Sequence, residues 1–289
     1  MKQRTGLKIT LTSLAVMLVG LSGMAVSHAS GWSVPKRTLA EQVALIRPYT
    51  DIRLPSGASG PLPTLILFHG CGGLRDVQED YSAATLEAGY AVMIIGSNQA
   101  RGIGRFGAMS QVCTAMRLWG QERSADVHAA LEIARQDPRL DAEQIALVGW
   151  SHGGWTVLDA LGYAGDGQLP AALKDGRASL APQVRTAIVI YPYCAFPVRT
   201  DGSNLDPGIP VRSILAGRDM VAPHGACERL FDRALAAGVD VEYSVWPDIT
   251  HAFDEPNQPN DPRMEYDAEA AHRARAYLIE LLDETFSQG

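Results

Sequence analysis

The sequence predicts an α/β domain built on a mostly parallel central sheet with helices on both faces. Two observations carry this. Short apolar runs alternate with segments of helical periodicity, the order a parallel sheet imposes because each crossover supplies a covering helix. Several of the strand-like runs, among them Ala91 to Ile95, are apolar throughout, as expected where both faces of a sheet are covered. Of 289 residues, 46% are hydrophobic and 20% charged, a balance that excludes a disordered chain, a collagen-like repeat and a polytopic membrane protein.

The chain opens with Lys2, Arg4 and Lys8, an apolar stretch from Ile9 to Val26, and Ser27-His28-Ala29. A positive region, an apolar run and small residues at −3 and −1 are the order of a secretory signal peptide. Residues 1–29 are therefore expected to be removed, leaving residues 30–289 as one mature domain of 260 residues in the bacterial periplasm or the medium. The rival reading is an uncleaved anchor, since the apolar stretch is near the lower length limit for a membrane span. The Thr, Ser and Gly within the stretch and the small-x-small site favour cleavage, and with it no stable membrane insertion. Loss of those three bases takes the formal charge from −7 to −10. An acidic surface repels phosphate backbones, so nucleic acid is not an expected partner.

The elements follow in order. Residues 30–47 read as a mixed lead-in with one helical turn. Thr64 to Phe68 is a buried strand closed by the turn His69-Gly70-Cys71-Gly72-Gly73. Glu79 to Ala88 has helical character and stops at Gly89, and Ala91 to Ile95 is a second buried strand. Residues 96–118 are irregular; Gln121 to Gln136 is a helix ending before Pro138. Gln144 to Val148 is another strand, with a helix expected after Ser151. Residues 163–183 form an excursion, and with 196–209 a candidate partial lid. Ala187 to Ile190 and Val211 to Leu215 are strands, Cys227 to Ala237 a helix stopped by Gly238, Val239 to Trp246 a last strand, and Glu265 to Leu282 a final amphipathic helix. No linker or internal repeat divides the chain. Ligands of such sheets bind at the carboxyl ends of the strands.

Gly149-Trp150-Ser151-His152-Gly153 lies between a predicted strand and a predicted helix. The pattern G-x-S-x-G in that context is a nucleophile elbow, which lifts a serine hydroxyl above the sheet. A serine nucleophile needs a base and an acid, in the order Ser, acid, His on this fold. Asp219 follows the strand Val211 to Leu215, and His251 follows the strand ending at Trp246. His128 and His272 sit in helices, His152 follows the serine and should point away, and His224 is close behind Asp219. Asp248 is read as a turn cap. The oxyanion hole is expected from the N–H of His152 and the N–H of Cys71, with His69 anchoring the loop.

These motifs, with Val221 and Pro223 near Asp219 and His251-Ala252-Phe253, resemble the dienelactone hydrolase family. The resemblance spans about residues 45 to 285. It implies the α/β-hydrolase fold, with Ser151 as nucleophile, Asp219 as acid and His251 as base. Members of that family use a cysteine nucleophile and a glutamate near the position of His69; serine here points to a carboxylesterase or related acyl hydrolase acting on a small-molecule ester. The elbow also resembles that of prolyl-oligopeptidase-type peptidases, so a single-domain acyl peptidase is an alternative, as is a polyester hydrolase. A non-catalytic binding protein keeping the fold is a further one, disfavoured because all three triad positions are filled.

Trp150, Trp155, Trp119 and Tyr193 are candidates for an aromatic pocket wall, Trp150 first among them because it flanks the serine. Arg101, and after it Arg105, is a candidate for binding a substrate carboxylate. No metal, nucleotide or flavin motif is present, so no cofactor is expected. The oligomeric state is left open. Cys71, Cys113, Cys194 and Cys227 form an even set without a CxxC pair, which in an exported protein predicts disulfides. Pairing neighbouring strand-end loops gives Cys71–Cys113 and Cys194–Cys227, since crossed pairs have to span the nucleophile strand.

Overall fold

The computed structural model describes residues 33–258 and 261–287; the predicted leader, residues 1–29, lies outside the described residues. The first helix, α1 (Leu39–Ile46), begins where Thr38 and Glu41 cap each other. The Glu41 N–H donates to the Thr38 hydroxyl at 3.1 Å and the Thr38 N–H to the Glu41 carboxylate at 2.7 Å. That reciprocal cap, with Val43 and Ile46 buried, extends the expected single turn to eight residues.

After it come β1 (Thr50–Arg53), β2 (Leu62–Phe68), α2 (Asp76–Glu87), β3 (Ala91–Ile95), α3 (Ala125–Gln136), β4 (Leu140–Trp150) and α4 (His152–Gly165). The second half adds β5 (Val184–Ile190), β6 (Val211–Ala216), α5 (Gly225–Ala236), β7 (Val241–Trp246) and α6 (Ala268–Phe286). Among the described residues the strands form one seven-stranded sheet in the order β1-β3-β2-β4-β5-β6-β7. Only the β1–β3 pairing is antiparallel. β1 is an edge strand with a half-exposed, polar sequence, and lacks the apolar signature of the others.

The alternation within each strand divides the core into two layers. Ile66, Phe68, Met93, Ile95, Ile145 and Leu147 face α1, α3, α4 and α5. Leu65, Leu67, Val92, Ile94, Ala146, Val148 and Trp150 face α2 and α6. Each fully buried Leu or Ile contributes roughly 1.5–3 kcal/mol of burial free energy.

Three expectations change. The helix over Gln121 to Gln136 is broken into Gly120–Arg123 and Ala125–Gln136. The irregular stretch 96–118 contains short helical turns at Ser97–Ala100, Arg105–Gly107 and Ala108–Val112. The lid candidates 163–183 and 196–209 are braced against each other and the body. Arg199 bonds Asp166 at 2.6 Å, and Arg37 pairs with Leu173 in an isolated bridge.

Candidate active site

Ser151 directly follows β4 and caps α4, with φ 52° and ψ −112°. A non-glycine residue in that left-handed region is strained and persists only where its surroundings hold it. Here its N–H donates to Ile190 O at 3.0 Å, and its carbonyl accepts from Trp155 N–H at 3.0 Å and Tyr193 N–H at 3.2 Å. The elbow glycines answer to space. A Cβ on Gly149 stands 2.4 Å from the Gly153 carbonyl, and one on Gly153 stands 1.9 Å from Phe68 O. No other residue type lets α4 start this close to β2 and β4.

His251 Nε2 lies 3.0 Å from Ser151 Oγ, and His251 Nδ1 lies 2.6 Å from Asp219 Oδ2. Both partners are withdrawn from water, with side-chain exposure of 6% for His251 and 1% for Asp219. The other Asp219 oxygen accepts the N–H groups of Val221 at 2.8 Å and Ala222 at 2.7 Å. These two amides fix the carboxylate and leave Oδ2 to the histidine. The rival histidines are engaged elsewhere. His224 bonds Glu228 at 3.0 Å. Burial drives His128 down to about 4. Burial and then the Arg123 charge drive His152 down to about 3, its ring turned 3.0 Å from Arg123 and away from the serine. Asp248 is exposed.

The turn His69 to Gly73 passes beside the serine: a Cβ on Gly70 stands 3.7 Å from Ser151 Cβ. His69 is buried and anchors it, with Nδ1 2.6 Å from Gly70 O and its own carbonyl accepting from Arg123 at 2.8 Å. The Cys71 carbonyl accepts from the Asn98 amide at 3.0 Å. Cys71 is joined to Cys113 and Cys194 to Cys227, both with Cα–Cα 5.0 Å. The first bridge pins this turn; the second joins the loop after β5 to α5, behind the Asp219 loop. Between those two loops lies a cleft of about 290 Å³ lined by Tyr193, Ala195, Ala222, Pro223, Ala226 and Arg229.

Two substrate-contact expectations are corrected. Trp150 is 1% exposed, and its indole N–H donates to Asp254 at 3.1 Å. The strand alternation sends it into the α2/α6 layer with Ala146 and Val148, away from the rim. Arg101 is also withdrawn. Both terminal nitrogens bond Asp126, at 3.0 and 2.9 Å, and one also bonds Ser97 O at 3.0 Å. Trp155 is buried and donates to Asp159 at 2.7 Å. Of the four aromatics, Tyr193 alone lines the cleft beside the site. Arg105 is exposed at the start of the short helical turn Arg105–Gly107.

Sequence reading missed Asp254 and Tyr191. Asp254 is fully buried and accepts from Tyr81, Trp150 and Tyr191. Tyr191, just after β5, has φ 37° and its ring centroid lies 4.9 Å from that of His251. Among the described residues no cluster of His, Cys, Asp and Glu is arranged to hold a metal, and no helix is long and apolar enough to cross a membrane.

The family model of the dienelactone hydrolase family matches residues 167–286, the part that carries Asp219 and His251. That of the prolyl oligopeptidase family matches residues 78–167, the part that carries the elbow. No curated protein matches the chain. A solved structure of a dienelactone hydrolase-like protein from Klebsiella pneumoniae is 18% identical, with a TM-score of 0.61 over 81% of this chain and 91% of its own. A dienelactone hydrolase-like promiscuous phosphotriesterase from metagenomic libraries is 17% identical, with a TM-score of 0.62 over 82% and 92%. Thermogutta terrifontis esterase 2, solved phosphorylated by paraoxon, is 14% identical, with a TM-score of 0.58 over 81% and 88%. At these identities the likeness is one of fold: the mostly parallel seven-stranded sheet with helices on both faces is the α/β-hydrolase fold of these structures, and each of the two family models matches one part of the chain.

Proposed function

We propose that the protein is an exported serine carboxylesterase in which Ser151 attacks the ester, His251 carries the proton and Asp219 orients His251. The observation that carries this reading is the run from Ser151 Oγ through His251 to Asp219, at 3.0 and 2.6 Å. His251 Nε2 takes the serine proton as Oγ bonds to the carbonyl carbon. The oxygen that becomes negative faces the N–H of His152, at the positive start of α4, and the N–H of Cys71. Collapse expels the alcohol, which leaves with the proton from His251. Water, deprotonated by the same nitrogen, then frees the acid from the acyl-serine.

The cleft between Tyr193 and Ala226 takes the acyl chain. Its walls belong to loops that touch the triad: Tyr193 N–H bonds Ser151 O and Ala222 N–H bonds Asp219. Two disulfides are compatible with an oxidising compartment and support the periplasm or the medium. The prolyl oligopeptidase match over the elbow favours one second reading, an acyl peptidase. Paraoxon, followed by mass spectrometry of the Ser151 peptide, tests the nucleophile. Rates on p-nitrophenyl esters against aminoacyl anilides separate esterase from peptidase; faster anilide cleavage decides for the peptidase.

A further inference from the structure

We propose that Asp254 is a positioning residue for His251, tying the base loop to the nucleophile strand through one buried carboxylate shared by three donors. The proposal rests on the triad reading above.

The three donors come from three separate elements. Tyr81 on α2 donates to Oδ2 at 2.9 Å, the Trp150 indole N–H donates to the same oxygen at 3.1 Å, and the Tyr191 hydroxyl donates to Oδ1. The sequence places each at a working point. Trp150 immediately precedes Ser151, Tyr191 immediately follows β5, and Asp254 lies on the same turn as His251. Asp254 and the base are thus joined to the residue before the nucleophile by a single side chain.

Packing alone does not call for a carboxylate here. Burial of that charge costs several kcal/mol, which an apolar core shared by apolar neighbours avoids; here the neighbours are the donors Tyr81, Trp150 and Tyr191, each of which an apolar residue would leave unpaired. What the carboxylate adds is direction. It accepts three hydrogen bonds at once, which an amide with one acceptor oxygen cannot do. Burial pushes its pKa up, and the bonds from Tyr191, Tyr81 and Trp150 push back toward the charged form.

The route to His251 runs through Tyr191. Both ring nitrogens of His251 face the triad, so the tilt of the ring is left to its neighbours. Tyr191 supplies one face, its centroid 4.9 Å away at an interplanar angle of 60°. Tyr191 is itself held at φ 37°, a strained value for a tyrosine, and Ala252 beside His251 sits at φ 53°. The hydroxyl bond to Asp254 is the tether that keeps Tyr191 there. A reacting group displaced by about 1 Å loses up to about a hundredfold in rate, so a loosened tether is read in kcat.

The test compares Asp254→Asn, Tyr191→Phe and the double variant with wild type on a p-nitrophenyl ester, in protein shown by circular dichroism to be folded. Each single variant is expected to lower kcat about tenfold with KM little changed, and the double variant no further than the worse single, because both cut one tether. The low-field proton resonance of the His251–Asp219 bond should broaden in each. Wild-type kcat in both folded single variants, or losses that multiply in the double, overturn the proposal. A lowered melting temperature with kcat intact overturns it too, since that marks a purely structural residue. Absence of paraoxon labelling at Ser151 in wild type is a separate failure, of the triad reading.

Discussion

Gly153 stands so close beneath the carbonyl of Phe68 that a methyl group on its α-carbon lies 1.9 Å from that oxygen. The contact joins the first turn of α4 to the end of β2, from which the turn beside the serine departs. Because the obstacle is backbone, no rotamer change relieves it. Gly153→Ala is expected to cost at least about 3 kcal/mol, read as a lowered urea midpoint. An unchanged midpoint contradicts the packing described here.

Ser151 carries the proposed chemistry but little of the packing. Ser151→Ala removes one hydroxyl whose partner is His251 Nε2. It should lower kcat by roughly ten-thousandfold or more and abolish phosphorylation by paraoxon. Thermal stability should stay within about 1 kcal/mol of wild type, since the strained turn is held by backbone bonds that alanine retains. Substantial turnover by the folded variant removes Ser151 from the role of nucleophile.

The cleft lined by Tyr193, Ala222 and Ala226 is about 290 Å³, close to the small end of ligand pockets at about 300 Å³. Ala226 belongs to the first turn of α5, so a larger side chain there projects into the cleft without crossing the core. Ala226→Phe should reduce kcat/KM for octanoyl esters about tenfold more than for acetyl esters. Equal losses on both place the acyl chain elsewhere.

The strands whose two faces are buried were legible in sequence. Ala91–Ile95 reads directly because every residue in it is buried. The positions of Ser151, Asp219 and His251 were legible as well, since each hangs just beyond a strand that is itself readable, and the structure brings the three side chains within hydrogen-bond distance. Asp254 was not: its donors sit at positions 81, 150 and 191, and only the completed sheet brings them together. Arg101 misled because a loop arginine shows no sign of a partner; Asp126 lies in the buried part of α3. Trp150 is different. Its period-two relation to Ala146 and Val148 assigns it to the core layer, and nearness to the serine outweighed that pattern.

Two buried groups act oppositely on stability across the same acid range. His128 is lowered by burial to about 4. Between about pH 6.5 and 4 the unfolded chain therefore binds a proton at this site that the folded chain does not, and stability is lost as pH falls. The displacement from 6.5 to about 4 is worth about 3 kcal/mol. Asp159 is raised by burial to about 7, despite bonds from Thr200 N–H, Trp155 and Arg199 N–H. There the folded chain holds the extra proton between about pH 4 and 7, so its contribution is present in acid and lost as pH rises. His128→Gln should flatten the fall in urea-unfolding free energy between about pH 6.5 and 4, and Asp159→Asn should steepen it. Parallel curves for wild type and both variants contradict the assignment.

The Cys194–Cys227 bridge closes a loop with a sequence separation of 33. That loop contains β6 and Asp219, and Ala222 on the cleft wall. By chain entropy a closed loop of this length stabilises the fold by up to about 4 kcal/mol. The bridge also has a local effect. Cys227 is buried at the start of α5, and its sulfur lies 3.2 Å from Pro192 O, next to the Tyr193 amide that bonds Ser151. Cutting it frees the loop after β5 and the first turn of α5 to part, opening the cleft while leaving the His251–Asp219 bond in place. Cys194→Ser with Cys227→Ser should therefore lower the melting temperature and raise KM for longer acyl esters more than it lowers kcat. The same change at Cys71 and Cys113 acts on the turn beside the serine, so there the loss should fall on kcat, with KM less affected. Measuring both double variants on one ester series decides the point. If the two bridges produce the same kinetic pattern, they serve stability alone and the separate local roles drawn here are wrong.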